Sequence, residues 1–485
     1  MALFDSFIKQ CQHLVGIDNV IADPDSLRVY ECDALSAYRQ VPDLVVLPET
    51  AEQVSAVMAH CHRRRIPVVV RGAGTGLAGG ALPVVGGIVL GLSKMNKILD
   101  IDPVNRCARL QPGVRNLAIS EAAKIHGLYY APDPSSQIAC SIGGNVAENA
   151  GGVHCLKYGL TVHNVLQIKL VTMAGELLTL GGSGLDAPGY DMLALAIGSE
   201  GLLGVAVEIT VRLLPLQPCT RVLLAAFASV EQAGAAVAAI IADGLLPAGL
   251  ELMDNAAIRA TEAFVHAGYP VEAAAILLCE LDGLPEQVTA DGASAEKLLR
   301  QNGALEIRVA ADDAERKRFW AGRKAAFPAV GRIASDYYCM DGTIPRKHLA
   351  EVLKRIGLMA AEYGLSVVNV FHAGDGNLHP LILYDANRSG DIENAEALGG
   401  KILELCVEVG GTITGEHGVG HEKLEQMCVQ FQAAELAQFH RLKQAFDPMG
   451  LLNTGKAIPT LHRCAEFGRL HVHQGQLPHP ELERF

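Results

Sequence analysis

Two histidines bracket a short turn in HAGDGNLH, His372 to His379, and a glutamate and a third histidine stand side by side in GEHGVG as Glu416 and His417. Imidazole nitrogens and a carboxylate are donors that divalent cations take. Two histidines with one carboxylate leave coordination positions open, the pattern of a catalytic rather than a structural site. The ligands would be His372, His379 and Glu416. Zinc suits this donor set, with manganese or iron as alternatives.

The elements that must hold these donors follow from pattern. Val367 to Phe371 is a β-branched and aromatic strand, Pro380 to Tyr384 is a second, and Gly374-Asp375-Gly376-Asn377 between them is turn chemistry. A hairpin of this kind predicts His372 and His379 paired across its base, with Cβ atoms ~4.5–5.5 Å apart. Glu416 lies in GGTITGEHGVGHEKL, a glycine-rich turn before a helix-like segment.

Length and composition bound the rest. At 485 residues the chain holds more than one domain, and with 50% hydrophobic residues it can build a large core. Net charge is −13, and the one basic run, His62 to Arg65, reads as the solvated end of a helix, so nucleic acid is not an expected partner. The N-terminus lacks a secretory pattern, and no stretch is long and apolar enough to span a membrane. The 12 cysteines are scattered without a CxxC, which speaks against an iron–sulfur cluster, a zinc knuckle or a disulfide scaffold and fits a reducing cytosol.

In chain order, residues up to Arg39 read as helical, and Pro42 to Pro48 as a short strand. Thr50 with Gln53 is a capping box that starts a helix running to about Arg65. The strand Ile66 to Val70 enters RGAGTG, Arg71 to Gly76, then LAGG. Such glycine runs let backbone N–H groups converge on an anion, although neither common nucleotide fingerprint is present. Ala131 to Gly159, APDPSSQIACSIGGNVAENAGGVHCLKYG, is poor in large apolar residues and suits a backbone wrapped closely around a ligand. Gly198-Ser199-Glu200-Gly201 is another such turn.

Together, PDLVVLPETAEQV, RGAGTGLAGG, the Ala131–Gly159 segment and GSEGLLGV resemble the FAD-binding domain of the vanillyl-alcohol oxidase / p-cresol methylhydroxylase family. HAGDGNLHP and TGEHGVG resemble the C-terminal domain of its FAD-linked D-2-hydroxyacid dehydrogenases. DYYCMDGTIPR and the tail are most similar to the FAD-linked large-subunit branch of bacterial glycolate dehydrogenases. The resemblance implies an α+β fold: a helical segment 1–39, a two-subdomain FAD-binding domain 40–217, an α/β cap 218–459 and a tail 460–485. It places the FAD pyrophosphate on Arg71, Gly72, Ala73, Gly74, Thr75 and Gly76. The rest of the cofactor follows Pro132, Ser135, Ser136, Gly143, Gly144, Asn149, Gly152 and Glu200. No histidine lies between Arg71 and Gly80, and His154 is the nearest candidate for a covalent link, so non-covalent FAD is expected.

The implied reaction is oxidation of a small D-2-hydroxyacid, glycolate to glyoxylate and also D-lactate, with hydride passing from C2 to flavin N5. The metal would lower the pKa of the substrate hydroxyl and His417 would be the general base. Arg323 would hold the substrate carboxylate, with Asn377 as a further contact. Phe327 stands where relatives acting on D-2-hydroxyglutarate carry a threonine, which favours a small substrate. Electrons would leave to a second FAD-binding subunit and an iron–sulfur subunit. The chain would be cytoplasmic, meeting the inner face of the cell membrane only through that complex. The rival readings are a D-lactate or D-2-hydroxyglutarate dehydrogenase and a non-catalytic flavin-binding electron-transfer subunit.

Overall fold

The computed structural model describes residues 2–182, 184 and 189–460, so all but the first residue of the tail lies outside it. Helix Ala2–Val15 buries Phe7, Cys11 and Val15 against helix Ala51–Arg64, with Phe7 stacked on His60 at 4.9 Å. The segment before residue 40 is not only helical. Its short strand Val20–Ile21 forms the edge of a sheet ordered Val20–Ile21, Leu44–Val46, Ile88–Gly91, Val68–Arg71, whose last three strands are parallel. Helix Ala51–Arg64 begins as expected, with Thr50 Oγ1 accepting from Gln53 N at 3.3 Å. The Gln53 side chain reaches one residue further back than a capping box requires, to Glu49 N at 2.7 Å.

A second sheet of five antiparallel strands, Ile98–Asp102, Cys107–Leu110, Val205–Arg212, Val165–Val171 and Leu177–Gly181, completes the N-terminal half. The glycine-rich helix Ile142–Glu148 packs on it, capped by Ser141 Oγ on Gly144 N and stopped by Asn149 at φ 53°.

Beyond Pro215 the chain builds a seven-stranded sheet. Its order is Ala304–Val309, Cys219–Phe227, Ala275–Gly283, Gly249–Asp254, Ser366–Phe371, Pro380–Tyr384, Asp336–Cys339. Every pairing is antiparallel, although strands and helices alternate along the sequence. Helices cover both faces. Leu223, Ala225 and Phe227 pack into one core with helices Val230–Ala242 and Leu349–Glu362, while Val222, Leu224 and Ala226 pack into another with Phe319 and Trp320. Burial on both faces explains why these strands read as continuous apolar runs rather than alternating ones. The end of the chain returns to the first domain: Val68 N donates to Leu451 O at 2.9 Å, and Asn453 N donates to Val68 O at 2.8 Å. Ten described cysteines are free thiols, and Cys428 is disulfide-bonded.

A polar staple joins the two domains. His154 Nδ1 lies 2.9 Å from Asp133 Oδ2 in the first domain, and its Nε2 lies 3.2 Å from Glu280 Oε1 of the cap sheet. Lys157 and Tyr158 both reach Asp282 at 2.7 Å. Burial alone would depress the His154 pKa, but Asp133 and Glu280 outweigh it and hold the pKa well above the ordinary value. A raised histidine pKa contributes stability that is full below about pH 6.5 and is lost as pH rises through the folded-state pKa. Urea midpoints followed from about pH 6 upward are therefore expected to fall more steeply for the wild type than for His154→Gln. Parallel pH profiles would show that the staple carries no charge-dependent stability.

Candidate active site

The hairpin forms as the sequence predicts, but its histidines are diagonal rather than opposite. His372 pairs with Asn377, and His379 lies two residues further along the same face. Their rings stand 5.1 Å apart and nearly perpendicular, and both Nε2 atoms converge on Glu416 Oε1, at 3.2 Å from His372 and 2.9 Å from His379. Their Nδ1 atoms are engaged behind. His372 Nδ1 meets Glu251 Oε1 at 2.8 Å, and His379 Nδ1 meets the Met340 carbonyl at 3.3 Å. Donation from both Nδ1–H groups turns two Nε2 lone pairs toward one carboxylate, an arrangement that a cation between them satisfies. Glu416 Oε2 is buried without a partner, so a lone pair remains for the same ion. The donor set fits a divalent metal. The same shortage of positive charge sets the direction of the neighbouring pKa shifts. Burial opposes both shifts, yet the flanking Glu251 and Glu416 raise His372 well above its ordinary pKa, and the two imidazoles hold Glu416 well below its own.

The loop carrying Glu416 is shaped by a residue to which the sequence reading gave no role. Asp341 Oδ2 accepts N–H bonds from Gly415 at 3.0 Å and His417 at 2.9 Å, and Oδ1 accepts from Glu416 at 3.1 Å. Thr414 Oγ1 and Lys423 Nζ approach Asp341 Oδ2 at 2.6 and 3.1 Å. Gly415 has no room for a side chain, since a Cβ there would lie 2.5 Å from the Asn377 carboxamide carbon. His417 stacks on His379 at 4.9 Å with rings 10° from parallel, and its buried Nδ1 has no partner. Burial depresses its pKa to about 4, which keeps the ring neutral near pH 7.

These side chains close one end of a cavity of about 480 Å³ between the two domains. His379, Glu416, His417, Lys324, Phe327 and Tyr337 line that end. Of the sequence-predicted cofactor residues, Gly72, Ala73, Gly74, Thr75, Gly76, Ser135, Ser136, Gly143, Gly144 and Glu200 line the cavity. The glycine cradle admits close approach: a Cβ at Gly143 would meet Pro112, and one at Gly72 would meet Ser141. This is room for a cofactor backbone, and the fit to FAD is good.

Four expected cofactor contacts fall elsewhere. Arg71 turns away from the cavity, with Nη1 on Cys32 O at 2.7 Å and its guanidinium over the Tyr30 ring. Pro132 gives its carbonyl to Asn116 Nδ2, Asn149 ends a helix and receives Val162 N, and Gly152 folds against Asp133. They shape the walls rather than line them. Arg323 is also displaced from its expected place. It is 1% exposed and outside the cavity lining, with Nε and Nη2 at 2.7 and 2.6 Å from Glu251 Oε2. It supports His372 through Glu251, while its neighbour Lys324 is the cation on the wall. Asn377 lies buried beneath the loop with Oδ1 unpartnered, outside the lining.

Residues 42–181 match the family model described as FAD binding domain, and residues 216–457 match FAD linked oxidases, C-terminal domain. The glycolate oxidase subunit GlcD of Escherichia coli is 65% identical over 98% of this chain and 95% of its own length. A D-lactate dehydrogenase of Anaerostipes hadrus is 34% identical over 87% of this chain and 91% of its own. Among solved structures, substrate-bound p-cresol methylhydroxylase superposes with a TM-score of 0.80 at 18% identity, covering 95% of this chain and 98% of that one. Both halves of the chain, the cavity between them and the near-full-length relatives agree: the chain belongs to the FAD-linked oxidases and is an FAD-dependent oxidoreductase.

Proposed function

We propose that this chain oxidises a small D-2-hydroxyacid, glycolate to glyoxylate and also D-lactate, and passes the electrons to partner subunits. The observation that carries this reading is the His372–His379–Glu416 cluster opening, beside a neutral His417, on the cavity that the FAD glycine loop lines. FAD bound there would accept hydride from C2 of the substrate. A divalent cation on His372, His379 and Glu416, zinc or else manganese or iron, would act as a Lewis acid toward the substrate oxygens. His417, with a free ring nitrogen, takes the hydroxyl proton. Lys324 offers its ammonium to the substrate carboxylate, and Arg323 fixes Glu251 and through it the orientation of His372. Phe327 and Tyr337, with rings 6.2 Å apart, leave an apolar wall that suits a short substrate without a second carboxylate.

FAD is held non-covalently in this reading. His154, the nearest histidine to the cofactor segments, has both ring nitrogens on carboxylates and does not line the cavity. Electrons pass to a second FAD-binding subunit and an iron–sulfur subunit. No helix among the described residues is long and apolar enough to cross a membrane, which fits a chain that meets the membrane only through such partners.

Anaerobic mixing with a panel of D- and L-2-hydroxyacids tests the reaction: glycolate and D-lactate are expected to bleach the flavin, and D-2-hydroxyglutarate and the L-enantiomers are not. Bleaching by L-lactate alone would overturn the assignment. His372→Ala is expected to abolish turnover and lower metal content while leaving FAD bound. His417→Ala should keep its metal and slow the chemical step roughly 10²–10⁴-fold. Metal analysis and single-turnover rates separate the two, and a metal-free, chelator-insensitive wild type refutes the metal assignment. Lys324→Met is expected to raise KM with little change in kcat, whereas Arg323→Lys should lower metal content. A KM effect confined to Arg323→Lys would return the carboxylate to that residue.

A further inference from the structure

The cofactor cavity has a carboxyl group that the reaction above does not use. Glu148, at the end of helix Ile142–Glu148, lines the cavity alongside Glu416 and His417, and its Oε2 is buried with no hydrogen-bond partner. A second carboxylate stands beside it. A Cβ at Gly418 would collide with Glu148 Oε2 and come within 3.0 Å of Glu200 Oε1. The two acids are not equivalent. Burial raises the pKa of both, but Glu200 accepts Val419 N at 2.7 Å and Gly420 N at 2.6 Å, bonds that favour its ionised form and hold its rise below that of Glu148. Glu148 has no such donors on Oε2, and one acid of a close pair in a low dielectric retains its proton.

We propose that Glu148 and Glu200 form a one-proton pair in which Glu148 keeps the proton and donates a hydrogen bond from its carboxyl group to the redox ring of FAD. The proposal rests on FAD occupying this cavity, and it concerns the end nearest the catalytic histidine, where a ring that accepts hydride must lie. The charged groups that bear on Glu148 are Glu200, Asp33, Lys423 and Lys456. Burial, Glu200 and Asp33 raise the Glu148 pKa well above the carboxylate range, and the two lysines oppose the rise without cancelling it. Lys423 is already bound to Asp341 and Lys456 to Gly80 O and Asn453 Oδ1, at 3.1, 2.9 and 2.8 Å respectively, so neither is free to neutralise Glu148 directly. Gly418 lacks a side chain in a left-handed turn at φ 81°, which leaves space for both carboxyl groups.

A carboxyl donor differs from a carboxylate in a way that an amide imitates. The test uses the full chain stripped of FAD and reconstituted, as wild type, Glu148→Gln and Glu148→Ala. FAD affinity is read by titration, and the flavin visible spectrum is followed from about pH 6 to 9, the range where buried glutamates lose protons. Wild-type FAD binding itself tests the assignment of the cavity, so failure there is distinct from failure of this proposal. The wild-type spectrum is expected to shift with rising pH. Glu148→Gln should keep the low-pH spectrum throughout and bind FAD within about threefold of wild type. Glu148→Ala should bind FAD about tenfold more weakly, the worth of one lost buried hydrogen bond. Thermal unfolding of each apoprotein checks that the variants are folded; if Glu148→Ala is not, the Gln variant carries the test. A wild-type spectrum that does not change with pH, a pH shift that persists in Glu148→Gln, or an unchanged FAD affinity in folded Glu148→Ala would each overturn the proposal.

Discussion

The site depends on one buried ion pair. Asp341 and Lys423 are both fully buried, 3.1 Å apart, and the Asp341 carboxylate gathers the N–H groups of three consecutive loop residues, Gly415, Glu416 and His417. A carboxylate with this many donors is stable in the ionised form despite burial, and its pKa is held far below the ordinary range. Removing either partner leaves a charge in a dry interior, a loss of roughly 3–5 kcal/mol in comparable cases. Because the three N–H groups must converge on one acceptor, the loop has few conformations open to it. Glu416 and His417 are aimed by that convergence, and Lys423 closes the loop from behind by donating to Gly418 O at 2.9 Å.

The loop is also held from the other domain. Glu200 receives the N–H groups of Val419 and Gly420, and Ala78 O receives those of His421 and Glu422. The Gly415–Glu422 loop therefore sits where both domains contribute acceptors, and the cofactor cavity lies in the same junction. This explains why the C-terminal segment returns to the first sheet: Lys443 reaches Leu202 O at 2.8 Å and Asp447 at 2.7 Å, locking the cap to the cofactor domain around the site. In the proposed reaction the hydride acceptor and the proton acceptor must stay within reach of two adjacent substrate atoms, C2 and its hydroxyl oxygen, and a loose junction would separate them.

What was legible in the sequence was local. The hairpin, the Thr50 cap and the glycine loop each announce themselves within a few residues, because turn chemistry and strand composition act over short range. The diagonal offset of His372 and His379 was not legible, since it depends on which residues of the turn pair, and a one-residue change in register moves the partner. Glu251, Asp341 and Lys423 were missed for a different reason. Each lies in or beside an ordinary strand or helix, and each acquires its role from a partner 72 to 121 residues distant, or in the case of Asp341 and Lys423, from one 82 residues away. Arg323 and Arg71 show the converse. Their neighbourhoods resemble binding motifs, but their guanidinium groups are taken by Glu251 and by Cys32 O before a ligand can reach them.

Charge balance connects the site to what it must hold. Around the junction Asp33, Glu148, Glu200, Glu251, Asp341 and Glu416 face three basic side chains that are themselves buried, Arg323, Lys423 and Lys456. Arg323 is taken by Glu251 and Lys423 by Asp341, so each neutralises an acid in its own corner. Lys456 is left to the remainder, and burial pulls its pKa down to about 7 against the pull of Asp33, Glu200 and Glu148. An interior with surplus carboxylates cannot keep them all ionised without further positive charge. At Glu416 two imidazole nitrogens converge on one carboxylate oxygen, a donor set that a cation would satisfy. At Glu148 Oε2 no donor converges, and a proton would meet the same need. Under the two readings proposed above, the same surplus would be met by a cation at one position and by a proton at the other, both toward the His417 end of one cavity, and the difference would lie in the ligands within reach.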